Sequence, residues 1–169
     1  SWYELNIDRN NDPNYTGNMH DWQCEEVVRQ WKKNLFEPYH TAVNSFVWDD
    51  GWDHYGDWTF SPNFPDGFRK SDALAREMGS GIGAWLGPVG GYGQSGNYRR
   101  DFWKGKGGMQ LSNPKYYETF TRSITDLCNK RGYDFRFFKF DGISAQFSAV
   151  GPDAGIVGEE NAEGIIRAE

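Results

Sequence analysis

Three stretches of the chain carry side chains whose types and spacing suit chemistry. Asp49 and Asp50 stand side by side in FVWDDGWDHYGDW, residues 46–58, after an apolar run and just before Gly51 and Trp52. Lys139 and Asp141 close the run FRFFKFD, and Trp85 lies near the end of GIGAWL, residues 81–86. Adjacent carboxylates repel each other and lose solvation beside a buried strand, so keeping them there needs a reason. A cluster of such groups can accept hydrogen bonds from sugar hydroxyls, or serve as acid, base or nucleophile. Lys139, two residues before Asp141, shares its side of an extended chain and offsets part of the charge. Each feature also has an ordinary reading: a turn with capping acids, a surface ion pair, a core tryptophan. The coincidence of all three at the same end of three strands favours a site.

The elements that must position these groups follow from periodicity. WYELNI, residues 2–7, is expected to be a first strand, NSFVW (44–48) a second, GIGAWL a third and FRFFKF (135–140) a fourth. A helix is expected over 21–36, where Cys24, Val27, Val28, Trp31 and Leu35 form one stripe and Glu25 and Glu26 suit the first turn. A short helix over 71–78 stops at Gly79. Asn113 caps a further helix, Pro114 takes its first position, and Tyr117, Phe120, Ile124, Leu127 and Cys128 share its apolar face up to Gly132. A last helical pattern begins near Glu159. Strands alternating with helices imply a parallel sheet, and in such folds the carboxyl ends of the strands line the site. The recurring units suit a (β/α) barrel or an open doubly wound sheet, and the pattern reads as the front half of a (β/α)8 TIM barrel, with residues 1–169 a single segment covering about its first four βα units, truncated at the C-terminus. Such an isolated half barrel leaves strand edges open and is expected to aggregate or fold poorly without the remainder.

Composition narrows the partners. A formal net charge of -6, from 24 acids and 18 bases, argues against nucleic acid and against an anionic membrane surface. No apolar run approaches the roughly 20 residues of a membrane span. Eight tryptophans and 21 glycines fit a sugar-binding protein, because ring faces pack on the C–H faces of a pyranose, but aromatics fill ordinary cores too. Cys24 and Cys128 are far apart, each on an expected helix, and are expected to be free, buried thiols. His20, His40 and His54 share no ligand spacing, and no metal or cofactor is expected. Gly91-x-Gly93-x-x-Gly96 fits a dinucleotide fingerprint after a strand, but NYRRDFWKGKGG has no apolar stripe and no helix is expected there. Asp8-x-Asn10-x-Asp12 starts like a calcium loop and then lacks the required glycine and glutamate.

DDGW, GDW (56–58), SPNFPDGF (61–68), GIGAWLGP, QLSNP (110–114) and KFD (139–141) occur in this order. In that order they resemble the barrel of the retaining α-galactosidases of glycoside hydrolase family 36 and, more distantly, family 27. The initial SW resembles the first-strand tryptophan motif of family 36. The resemblance runs over nearly the whole chain and implies the roles. Asp141 would be the nucleophile, Asp49 and Asp50 would accept hydrogen bonds from the 4-OH and 6-OH of a terminal galactose, Lys139 would donate to ring hydroxyls, and Trp2 and Trp85 would line the pocket. The general acid/base would follow a sixth strand, past Glu169. The chain departs from the family where Gly142 and Ile143 follow the nucleophile, where Gly87-Pro88 replaces a Glu-Pro pair, and where an arginine has only Lys106 as counterpart. A different α-linked sugar, such as N-acetylgalactosamine, therefore stays open. The expected partner is an oligosaccharide or glycoside. The alternative is a carbohydrate-binding or catalytically lapsed relative, and a nucleotide-binding α/β domain is a third reading. Oligomeric state and compartment (secreted, periplasmic or cytoplasmic) stay open.

Overall fold

The computed structural model describes residues 19–142. Trp2, the strand expected over 2–7, the calcium-like run at 8–12, Ile143 and the helical pattern from Glu159 lie outside the described residues. Helix α1, Asp21–Trp31, begins where Gln23 Oε1 accepts the His20 N–H at 2.9 Å, which occupies a donor just ahead of the first turn. It buries Gln23, Cys24 and Val28. The helix runs past its expected end, through a wide turn over Lys32–Phe36 and a last turn over Glu37–Tyr39, and stops at His40 in the left-handed region (φ 50°). The remaining elements are β1, Ser45–Trp48; α2, Arg69–Arg76; β2, Gly81–Leu86; α3, Gly93–Trp103; α4, Pro114–Thr125, prolonged by a wide turn over Asp126–Lys130; and β3, Phe135–Phe140.

The three strands form an open parallel sheet in the order β1-β2-β3. Ser45 pairs with Gly81 and Trp48 with Ala84. All six residues of β2 are buried, as a central parallel strand covered on both faces requires. On β1 only Phe46 and Trp48 are buried, and β3 is the most exposed of the three. The described residues divide into two compact units.

Unit 1 comprises 19–53, Phe60–Leu86 and Asp126–Lys139. Trp31 meets Phe46 edge-on at 6.0 Å, and Trp52, Phe60 and Phe68 pack against one another with ring centroids 4.8–5.5 Å apart. Gly83 has no room for a side chain: a Cβ there would run into the Phe137 carbonyl. Arg136 donates to Asn44 O at 3.1 Å and Gly79 O at 3.0 Å, which ties down the chain just ahead of β1 and β2. The same guanidinium hydrogen-bonds Asp134 and holds its carboxyl below the usual range. Burial, and then the charges of Asp21 and Glu25, push the Cys24 thiol well up, so it behaves as a small core side chain.

Unit 2 comprises His54–Thr59, Gly87–Thr125 and 140–142. Its loops are held by side chains. Tyr116 donates to Pro88 O at 2.7 Å and accepts from Trp58 Nε1 at 3.2 Å, while Trp103 Nε1 donates to Gly56 O. Arg99 is fully buried, donates to Gly90 O at 2.9 Å, and places its guanidinium 5.3 Å from the ring centres of both Tyr55 and Trp58. Trp58 has a φ of 58°, a strained conformation for so bulky a residue. Ser123, which donates to Trp58 O at 2.6 Å, helps to hold it there.

Three expectations need correction. A helix, α3, does open at Gly93, where no helix was expected. Its buried positions are Gly96, Arg99 and Trp103, a stripe at helical spacing in which two of three residues are not apolar. Gly96 is there because a Cβ would come within 2.5 Å of the Gly91 carbonyl. The ground on which the glycine fingerprint was set aside therefore fails. In the structure that loop folds onto α3, with the carbonyls of Gly90 and Gly91 taken by Arg99 and Arg100. On α4 the inward tyrosine is Tyr116, and Tyr117 is exposed. Cys128 is free but exposed, not buried. It sits in the wide turn Asp126–Lys130, whose extra residue per turn moves the face out of phase with the helix before it.

Candidate functional site

Strand β1 ends at Trp48, so the paired aspartates begin at its carboxyl end. The Asp50 N–H donates to Asp49 Oδ1 at 2.8 Å, and Lys139 Nζ donates to Asp49 Oδ2 at 2.8 Å. Lys139 lies on β3, 90 residues along the chain and separated from β1 in the sheet by β2. The two outer strands therefore meet through this ion pair. Its side chains are 45% and 17% exposed for Lys139 and Asp49. A pair that open to solvent adds little to stability.

Its chemistry suits hydroxyl recognition. A carboxylate oxygen has a second lone pair after one hydrogen bond, and an ammonium has two more donors after one. A sugar hydroxyl both donates and accepts, so a fixed Asp–Lys pair can satisfy it in both senses. Asp50 is partly buried next to this pair. The segment that follows is anchored by Trp52, 1% exposed, whose Nε1 donates to Trp85 O at 2.8 Å.

Trp85 lies on β2, one residue before its end. The residue is 1% exposed, and its carbonyl takes the Trp52 indole N–H from the loop after the aspartates. Asp49, Asp50, Lys139 and Trp85 all lie in unit 1. Asp141 follows Phe140, the last residue of β3, and is partly buried in unit 2. There it accepts a hydrogen bond from the Tyr92 hydroxyl at 3.4 Å. Trp2 lies outside the described residues. Among the described residues no three His, Cys, Asp or Glu side chains are grouped as metal ligands.

Sequence reasoning gave no role to Trp52 or Tyr92. The tryptophan two residues after the aspartate pair was a signal for the first. Tyr92 was one of several polar and aromatic residues in a glycine-rich loop, with nothing in the sequence to single it out.

Comparison with protein-family models, with curated proteins and with solved structures returns no match.

Proposed function

We propose that this chain carries the sugar-recognising and nucleophilic half of a retaining α-glycosidase of α-galactosidase type, built on the βα units of a (β/α)8 barrel. The observation that carries the reading is the 2.8 Å contact between Lys139 Nζ and Asp49 Oδ2. It joins groups from the carboxyl ends of two parallel strands, where sites of α/β folds are built. Asp49 and Asp50 accept hydrogen bonds from hydroxyls of a terminal sugar, and Lys139 donates to them. Trp85 would line the sugar pocket, and Trp52 contributes by anchoring the loop after the aspartates to the Trp85 carbonyl.

In this mechanism Asp141 attacks the anomeric carbon while a general acid protonates the leaving oxygen. A glycosyl ester forms, and water hydrolyses it with the second carboxyl acting as base, the two carboxyls lying about 5–5.5 Å apart. The resemblance places that second carboxyl after a sixth strand.

The test is hydrolysis of 4-nitrophenyl α-galactoside and α-N-acetylgalactosaminide by the full-length protein, with the first-formed anomer read by proton NMR. Turnover with retained α-configuration, lost in Asp141→Ala, supports the reading. Inversion, or full activity in Asp141→Ala, overturns it. Calorimetric binding of the free sugar without turnover of either glycoside would establish the binding-protein alternative.

A further inference from the structure

Tyr92 is the residue just ahead of α3. Its main chain is pinned: Tyr92 O accepts the Gly96 N–H at 3.0 Å and the Ser95 hydroxyl at 3.3 Å. The residue is 67% exposed. Packing therefore gives little reason for an aromatic side chain here, and the phenol hydroxyl is the part that reaches a specific partner, Asp141 Oδ1 at 3.4 Å. We infer that Tyr92 is a positioning residue for Asp141, orienting its carboxylate and speeding the step in which that carboxylate departs from the sugar. The inference rests on the reading of Asp141 as nucleophile.

The direction of the effect follows from where charge moves. In the first step Oδ2 of Asp141 bonds to the anomeric carbon as the bond to the leaving oxygen breaks. The bonding pair goes to that oxygen, which takes its proton from the general acid. The carboxylate becomes a neutral ester and its hydrogen bond to the phenol weakens. In the second step a water oxygen bonds to the anomeric carbon, the bond to Oδ2 breaks, and the pair returns to Asp141. The water's proton goes to the base. The carboxylate regains full charge in this step, and a donor already on Oδ1 strengthens as it does, because hydrogen bonds to charged acceptors are the stronger ones. Removing the hydroxyl should therefore slow decay of the ester; in its formation the loss of orientation opposes the release of the ground-state hydrogen bond, so that step changes little.

The experiment uses the full-length protein and 5-fluoro-α-galactosyl fluoride, which makes both steps slow. The adduct on the peptide containing FFKFDGIS is followed by mass spectrometry in the wild type and in Tyr92→Phe. Labelling of Asp141 at an unchanged rate, with decay of the adduct slowed about tenfold and an unchanged Tm, is the expected result. Equal decay in the two proteins makes Tyr92 an ordinary surface side chain and overturns the inference, while the nucleophile assignment stands. If the wild type carries no adduct on Asp141, the nucleophile assignment itself falls, and the role of Tyr92 falls with it.

Discussion

In unit 1 a strand ladder satisfies much of the main chain, with Arg136 and Trp52 anchoring the segments at its ends. β1 and β2 pair residue for residue from Ser45↔Gly81 to Trp48↔Ala84, and the Ile82 N–H reaches Asp134 O at 2.9 Å. In unit 2 the connecting loops find their partners in side chains: Tyr116 on Pro88 O, Arg99 on Gly90 O, Trp103 on Gly56 O, and Asn113 Nδ2 on both Lys106 O and Gly108 O. Every buried carbonyl must be satisfied one way or the other. A ladder shares that task over many equivalent residues, whereas side-chain anchors concentrate it on a few. Unit 2 should be the more sensitive to single substitutions at its anchors, and unit 1 to changes that force its strands apart.

The largest expected effect tests whether the residue at the end of β3 is chemical rather than structural. Asp141→Ala should lower turnover by on the order of 10⁴-fold with little change in Tm. A collapse in Tm instead would make Asp141 part of the architecture. Next comes the anchored unit. Trp103→Ala removes a buried indole and leaves Gly56 O without its donor, and should cost about 4 kcal/mol in urea denaturation. A loss below about 1 kcal/mol would break the contrast between the units, since Trp-to-Ala changes in ordinary cores already exceed that.

The ladder has its own weak point. Gly83→Ala places a methyl against the Phe137 carbonyl, and should cost about 3 kcal/mol, the upper range for overpacking. An unaffected midpoint would mean that β3 can move away from β2 at no expense. Asp50→Ala is expected to weaken sugar binding by about 2 kcal/mol, as for loss of a charged hydrogen-bond acceptor, with Tm nearly intact. If calorimetry finds unchanged affinity and lowered stability, the aspartate pair is a turn and no more.

The smallest effect is a pH dependence. Arg136 holds the folded-state carboxyl of Asp134 below its usual range. The stabilisation is present above the unfolded value of about 4 and is lost as pH falls through the folded one. Asp134→Asn should lower Tm slightly at neutral pH and not at strongly acid pH. An equal loss at both would trace the effect to the hydrogen bonds rather than to the charge. Both partners are exposed to solvent by roughly a third, so the ion pair is well screened.

The contrast between the units also marks what a reader of the sequence could find. β2 and β3 fall on the residues the pattern predicts, and β1 differs by one residue, because a short apolar run bounded by glycine or asparagine carries its own signal. The start of α4 is equally legible in Asn113-Pro114 and its end in Gly132. The helix α3 was not. Its inward stripe is a glycine chosen for a close approach, an arginine chosen for a loop carbonyl and one tryptophan, and hydrophobic periodicity is blind to the first two.

The site divides in the same way. Residue type and position along the strands single out Asp49, Asp50, Lys139 and Asp141 as candidates, because their chemistry and strand-end placement are local properties. That Lys139 grips Asp49 across β2, that the Trp52 indole meets the Trp85 carbonyl, and that the Tyr92 hydroxyl meets Asp141 are long-range facts. They depend on strand order, on the exposure of each face and on how a glycine-rich loop folds back, all of which are set by packing between segments tens of residues apart. A linear pattern can name the groups; only the tertiary structure decides which of their atoms meet.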